Sequence, residues 1–250
     1  MHKTALITGA SSGIGLACAE MLAASGYNLI LTARRSERLT EVAEKLRTEY
    51  SISVETLIFD VRNKAEVTAA LHHLQAPDVL VNNAGLALGL SHFYAGDTDH
   101  WDTMIDTNVK GLLYVSRAMA EKMIARGSGH IVNIGSIAGK EVYENGNVYC
   151  ATKHAVDALT RSMRIELSPK GVKVTGIHPG AVETEFSLVR FGGDAERAKK
   201  VYEGFENLVA HDIADAVMWA VSRPAHVNIN DIVIMPSAQP AAGVIHRKNS

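Results

Sequence analysis

Tyr149 and Lys153 stand four residues apart in the segment Tyr-Cys-Ala-Thr-Lys, and Ser136 lies upstream of both. On a helix, residues four apart share a face, so the phenol and the ammonium reach one small volume. A free tyrosine titrates near ~10 and is a poor acid or base at neutral pH. A fixed cation beside it stabilises phenolate and moves it toward useful chemistry. The hydroxyl of Ser136 can hold a carbonyl oxygen against that phenol. The trio suits proton transfer at an alcohol or carbonyl oxygen.

The elements that position the trio begin with a turn. The apolar run Thr4 to Thr8 ends in Gly9-Ala-Ser-Ser-Gly13-Ile-Gly15, and helix-forming residues follow from Leu16 to Ala24. Strand, glycine turn and helix form the context of a dinucleotide motif. Gly9 allows the tight turn, Gly13 lets the backbone approach a pyrophosphate, and Gly15 lets the helix lie close to the strand. The helix N-terminus presents free N–H groups and partial positive charge to phosphates, and Ser11 and Ser12 add hydroxyl donors.

Apolar runs near 4–8, 28–33, 53–59, 78–81, 129–135, 172–178 and 231–235 read as strands. Helical patterns lie near 13–25, 36–49, 64–75, 100–126, 148–168 and 211–222. Several strands are unbroken apolar runs, as expected of a parallel sheet covered on both faces. The alternation predicts right-handed crossovers and an α/β doubly wound parallel sheet of about seven strands with helices on both faces. Residues 1–250 read as a single unit. Residues 84–99 read as a loop, 181–210 as an insertion forming a substrate loop, and 239–250 as a tail.

At 250 residues and 47% hydrophobic content the chain can bury a substantial core. A net charge of −2 indicates neither a nucleic-acid surface nor an anionic-lipid anchor. Cys18 and Cys150 give no disulfide framework. The N-terminus enters a strand at once, leaving no room for a signal peptide, and no apolar stretch reaches ~18 residues. A cytoplasmic location is expected. The histidines, among them His72, His73, His92, His100, His154 and His178, lack ligand spacing, so no metal is expected.

Taken in order, Thr8-Gly-Ala-Ser-Ser-Gly-Ile-Gly15, Asp60-Val61, Asn82-Asn-Ala-Gly85, Asn108, Ser136, Tyr149 to Lys153 and Pro179-Gly180 resemble the short-chain dehydrogenase/reductase family. The resemblance spans nearly the whole chain and implies a Rossmann-type fold. It implies a catalytic set of Asn108, Ser136, Tyr149 and Lys153. Tyr149 acts as acid/base, Lys153 as its electrostatic partner, Ser136 as carbonyl-orienting donor, and Asn108 helps hold a water behind the lysine. The implied cofactor set is Gly9, Ser11, Ser12, Gly13, Ile14, Gly15, Arg34, Arg35, Asp60, Val61, Asn82, Ala84, Gly85, Tyr149, Lys153, Pro179, Gly180, Val182 and Thr184.

An acid at the end of the second strand would bind the adenosine ribose and repel a 2′-phosphate. Here Ala33 occupies that place and Arg34-Arg35 follow, and guanidinium suits phosphate. The expected cofactor is therefore NADP (NADPH).

A finer likeness, carried by residues 82–89, 101–108, 185–191 and 224–230, is to NADP-dependent 3-hydroxy acid dehydrogenases, including those acting on serine and allo-threonine, with sulfoacetaldehyde reductases as near relatives. Such substrates are anions, and Arg190 is the candidate cation, with Tyr143 a candidate hydroxyl. Alternatives are a reductase of a 3-oxoacyl thioester or neutral carbonyl, and a non-catalytic NADP-binding sensor. Family resemblance also implies a homodimer or homotetramer.

Overall fold

The computed structural model describes residues 2–248. Met1, Asn249 and Ser250, which the expected 1–250 unit and 239–250 tail include, lie outside the described residues. β1 (Thr4–Thr8) leads to α1 (Gly13–Ala24), β2 (Asn28–Ala33), α2 (Ser36–Tyr50) and β3 (Val54–Ile58). Then come α3 (Lys64–Leu71), β4 (Val79–Asn82), α4 (Thr98–Ile105), α5 (Leu112–Arg126), β5 (Gly129–Ile134), α6 (Asn147–Leu167) and β6 (Val172–Pro179). The last stretch holds β7 (Val182–Glu183), α7 (Phe186–Arg190), α8 (Ala195–Val201), β8 (Leu208–Val209), α9 (Ala210–Val221) and β9 (Asp231–Ile234).

Seven strands pair in the order β3-β2-β1-β4-β5-β6-β9, all parallel. The chain starts in mid-sheet, winds outward to β3, then returns to place β4 on the other side of β1. That reversal opens a crevice at the carboxyl ends of β1 and β4, where open α/β sheets bind ligands. One buried cluster packs α1, α2 and α9 on one face; a second packs α3, α5 and the end of α6 on the other. Burial on both faces explains why Leu6, Ile7, Leu80 and Val81 form runs rather than alternating with polar residues.

Two regions depart from the sequence pattern. The helix expected over 100–126 is three pieces, because a π-helical turn, Asp106–Gly111, separates α4 from α5. The 181–210 insertion is not bare loop: it contains β7, paired in parallel with β8, and the short helices α7 and α8. Both cysteines are free and buried. No helix among the described residues is long and apolar enough to cross a membrane.

Candidate active site

The glycine turn closes tightly. Gly9 and Gly13 adopt φ of +68° and +55°, a region that disfavours side chains. A Cβ on Gly15 would lie 2.4 Å from the Gly9 carbonyl oxygen, so α1 can approach β1 only without one. The turn is held from β4: the backbone N–H groups of Asn83 and Ala84 both donate to Thr8 Oγ1 at 3.0 Å. Asn83 Nδ2 donates to the Thr8 carbonyl at 2.9 Å.

One cleft runs from this turn across the carboxyl ends of the strands. Of the residues read from the sequence, Gly9, Ser11, Ser12, Gly13, Ile14, Arg34, Arg35, Asp60, Val61, Ala84, Gly85, Ser136, Tyr143, Tyr149, Lys153, Pro179, Gly180, Val182, Thr184 and Arg190 line it. Gly15 lies beneath the turn. Asn82 points the other way, and its Nδ2 donates to Ser116 Oγ at 2.8 Å and to Asn133 Oδ1 at 2.9 Å inside the core. Successive strand residues face opposite sides, so of the two adjacent asparagines only Asn83 serves the cleft wall.

At the adenosine end, Arg35 Nη2 donates to Ser12 Oγ at 2.9 Å and to Ser11 Oγ at 3.2 Å. The Glu185 carboxylate lies 3.2 Å from Arg35 and 2.6 Å from Arg38. Burial pushes the Glu185 carboxyl up, but the two guanidiniums together outweigh it and hold it below the usual range. An anion is thus already seated on the two guanidiniums, and that pair, with the Ser11 and Ser12 hydroxyls beside Arg35, suits a phosphate. Arg34 sits farther out, 3.8 Å from Asp60.

At the other end, Tyr149 and Lys153 project from the first turns of α6, both buried. Lys153 Nζ donates to the Ile134 carbonyl at 3.0 Å and lies 5.9 Å from the Tyr149 ring centre. Burial lowers the Lys153 ammonium to about 8. Burial and the Tyr143 phenol push the Tyr149 hydroxyl above the ordinary tyrosine value, while Ser136 and Arg190 pull it down by less. The sequence reading had the cation easing ionisation of this phenol. In the folded chain desolvation wins instead, because both groups are removed from water together.

Asn108 is buried in the π turn and does not line the cleft. Its Oδ1 accepts from Leu86 N at 2.9 Å, and its Nδ2 donates to the Leu86 carbonyl at 2.8 Å and to Thr152 Oγ1 at 3.1 Å. It therefore ties the loop after β4 to α6. The Ser136 hydroxyl accepts from Ala138 N at 3.1 Å.

Arg190 ends α7 and turns inward. Its Nη2 donates to the Tyr143 hydroxyl at 3.1 Å, its Nε donates to the Gly89 carbonyl at 3.1 Å, and its Cζ lies 5.6 Å from the Tyr149 ring centre. Arg190, Tyr143 and Tyr149 thus converge although they lie far apart in sequence.

Several lining residues were given no site role in the sequence reading. Phe186 packs on Tyr149 with ring centres 5.6 Å apart. Gln239, buried, accepts from Ala181 N at 2.8 Å, and Ala242 and Ile245 join it along the cleft. The expected tail folds back on its own chain here: Ala242 N donates to Glu141 at 2.8 Å and Lys248 N donates to the Gly204 carbonyl at 2.7 Å. Behind the site, His178, Asp157 and Asp231 form a cluster of donor atoms close enough together to ligate a metal. Lys140 already supplies the cation there, 2.5 Å from Asp157 and 3.7 Å from Asp231.

Residues 3–190 match the family model described as short chain dehydrogenase. The chain is 46% identical over 248 residues to the NADP-dependent 3-hydroxy acid dehydrogenase YdfG of Salmonella typhi, covering 97% of this chain and 98% of that protein. It is 43% identical over 244 residues to sulfoacetaldehyde reductase 2 of Chromohalobacter salexigens, covering 96% of each. The closed form of a serine dehydrogenase complexed with NADP+ superposes with a TM-score of 0.91 at 43% identity, covering 98% of this chain and 100% of that one.

Proposed function

Because this chain belongs to the short-chain dehydrogenase/reductase family, we propose that it is an NADP-dependent oxidoreductase interconverting a small 3-hydroxy acid and its aldehyde or ketone. The observation that carries this reading is the placement of Arg190 5.6 Å from the Tyr149 ring, at the end of a cleft that begins at a phosphate-binding turn. A guanidinium there can grip a carboxylate through paired hydrogen bonds while the carbonyl oxygen faces the phenol.

The bound cofactor supplies the two-electron chemistry. The glycine turn, Ser11, Ser12 and Arg35 hold its phosphates. Tyr149 delivers a proton to the carbonyl oxygen in reduction and removes one from the alcohol in oxidation. Burial keeps its hydroxyl protonated at neutral pH, which suits the reductive direction. Lys153, cationic below about 8, stabilises the charge that develops when that proton leaves. Ser136 orients the carbonyl, and Asn108 fixes the loop and helix that frame it.

A sulfonate fits the same guanidinium, and the likeness to a sulfoacetaldehyde reductase makes that the second reading. A homodimer or homotetramer is supported by apolar residues left exposed on α5 and α6, Leu113, Ile124 and Ile165. A cytoplasmic location accords with two unpaired buried thiols. The test is NADPH consumption across malonic semialdehyde, sulfoacetaldehyde and neutral aldehydes of similar size. Turnover of the neutral compounds alone would overturn the proposed substrate class.

A further inference from the structure

The ion pair between Glu185 and the arginines of α2 joins two ends of the cleft that the mechanism treats separately. Arg35 and Arg38 open α2, beside the glycine turn. Glu185 immediately precedes α7, and the last residue of α7 is Arg190. Arg35 Nη1 and Nη2 both lie 3.2 Å from Glu185 Oε2, and the same Nη2 reaches the Ser11 and Ser12 hydroxyls. Arg38 Nη1 takes the other carboxylate oxygen at 2.6 Å. Three guanidinium donors from the phosphate-binding side thus converge on a carboxylate carried by the substrate-binding side.

We propose that Glu185 is an internal competitor for the cofactor's 2′-phosphate and a specificity-determining residue that couples phosphate binding to the position of α7. The inference rests on the NADP reading above. A carboxylate and a phosphate ask the same thing of a guanidinium, namely two parallel N–H donors and a positive charge. Both cannot use Arg35 at once, and two anions side by side repel. The pair is half exposed, with Arg35 at 50% and Glu185 at 36%, so it exchanges readily for a stronger anion. When a phosphate takes the guanidiniums of Arg35 and Arg38 together, Glu185 is released and the start of α7 loses its anchor on α2. The far end of α7 remains attached through Arg190 to Gly89 and Tyr143. NADH, which lacks the phosphate, leaves Glu185 in place. The coupling is reciprocal, so whatever favours the released helix also tightens NADPH.

Equilibrium binding of NADPH and NADH to the wild-type protein and to Glu185→Gln tests this. Glutamine keeps the side-chain shape and removes the charge. NADPH should bind the variant about threefold to tenfold more tightly, the equivalent of losing one or two exposed ion pairs. NADH affinity should not change, which also reports that the variant is folded. Hydrogen exchange at Phe186 to Arg190 should be faster with saturating NADPH than with saturating NADH in the wild type. That difference should vanish in the variant. If the wild type prefers NADPH but the variant binds it equally or more weakly, or if the exchange difference persists in the variant, the competition is wrong while the cofactor reading stands. If the wild type binds NADH as tightly as NADPH, the cofactor reading and this proposal fail together.

Discussion

Arg190 and Tyr143 meet across the mouth of the cleft, the guanidinium donating to the phenol oxygen at 3.1 Å with its carbon 5.7 Å from the ring centre. The pair brings together α7 and the stretch between β5 and α6, which are distant in the chain. It also shows how a half-buried cation can sit at the rim without a carboxylate partner: a phenol oxygen and the Gly89 carbonyl satisfy two of its donors, leaving the rest of the fork for a ligand.

Replacing Arg190 by alanine should therefore separate charged from neutral substrates. A hydrogen bond to a charged group contributes about 1.5–3 kcal/mol, or about tenfold to a hundredfold in kcat/KM. That loss is expected for malonic semialdehyde and sulfoacetaldehyde in Arg190→Ala, with much smaller changes for neutral aldehydes. Steady-state kinetics with both sets decides it, and equal losses would remove Arg190 from substrate recognition.

Lys153 predicts an opposition between stability and activity. Its folded value of about 8 lies below the ordinary lysine value of 10.5. Below about 8 both folded and unfolded chains carry the proton, and the fold bears the full cost of the buried charge. Between those values the unfolded chain holds a proton that the fold has released, so stability climbs with pH, and above 10.5 the penalty is gone. Lys153→Met should raise Tm at pH 7 by several degrees, at roughly 2–4 °C per kcal/mol, and the gain should disappear near the upper limit. Activity should fall by about a hundredfold or more. A lowered Tm at pH 7 in differential scanning calorimetry would contradict the argument.

Much of this site is legible in the sequence because its signals are local. The glycine turn, the four-residue spacing of Tyr149 and Lys153, and the apolar strand runs each depend on residues adjacent in the chain. What escaped notice depends on long-range placement. Asn82 and Asn83 are indistinguishable until strand pairing fixes which faces the core. Arg34 and Arg35 look equivalent until the turn brings Ser11 and Ser12 beside only the second. The contacts of Glu185 with Arg35 and of Gln239 with Ala181 carry no local pattern, since the partners lie far away in the chain. The expected lowering of the Tyr149 hydroxyl gave way to a rise driven by burial, because proximity is readable from spacing and desolvation is not.

The two arginines after β2 should therefore contribute unequally to the cofactor preference. Arg35 touches the glycine-turn hydroxyls, whereas Arg34 is the more exposed and pairs only loosely with Asp60. Arg35→Ala should weaken NADPH binding by about tenfold to a hundredfold, the range for a charge-assisted contact, and leave NADH nearly unaffected. Arg34→Ala should cost less. Fluorescence titration of both reduced cofactors measures the difference, and a larger NADPH loss in Arg34→Ala would reverse the ranking.

His130 sets part of the acid limit. It is buried in β5, its Nε2 lies 2.8 Å from Thr175 Oγ1, and burial, reinforced by Lys173, lowers it to about 3. The unfolded chain protonates this ring near ~6.5. As pH falls from there toward about 3 the unfolded state binds a proton that the fold refuses, and stability drops by about 1.4 kcal/mol per pH unit. Urea unfolding between about pH 6 and 4 should show a shallower pH slope for His130→Gln than for the wild type, by close to one proton. Identical slopes would mean the ring is already charged in the fold.

The π turn at Asp106–Gly111 makes the site sensitive to chain length. Such a turn holds one residue more than a regular helix would need over the same span. Losing a single codon within it would let α4 and α5 merge into one continuous rod, locally more regular. The same deletion would swing Asn108 by roughly 100° away from Leu86 and Thr152. The Asn108 contacts therefore depend on the extra residue, and a chain that lost it would keep a helix there and lose the tie between the loop after β4 and α6.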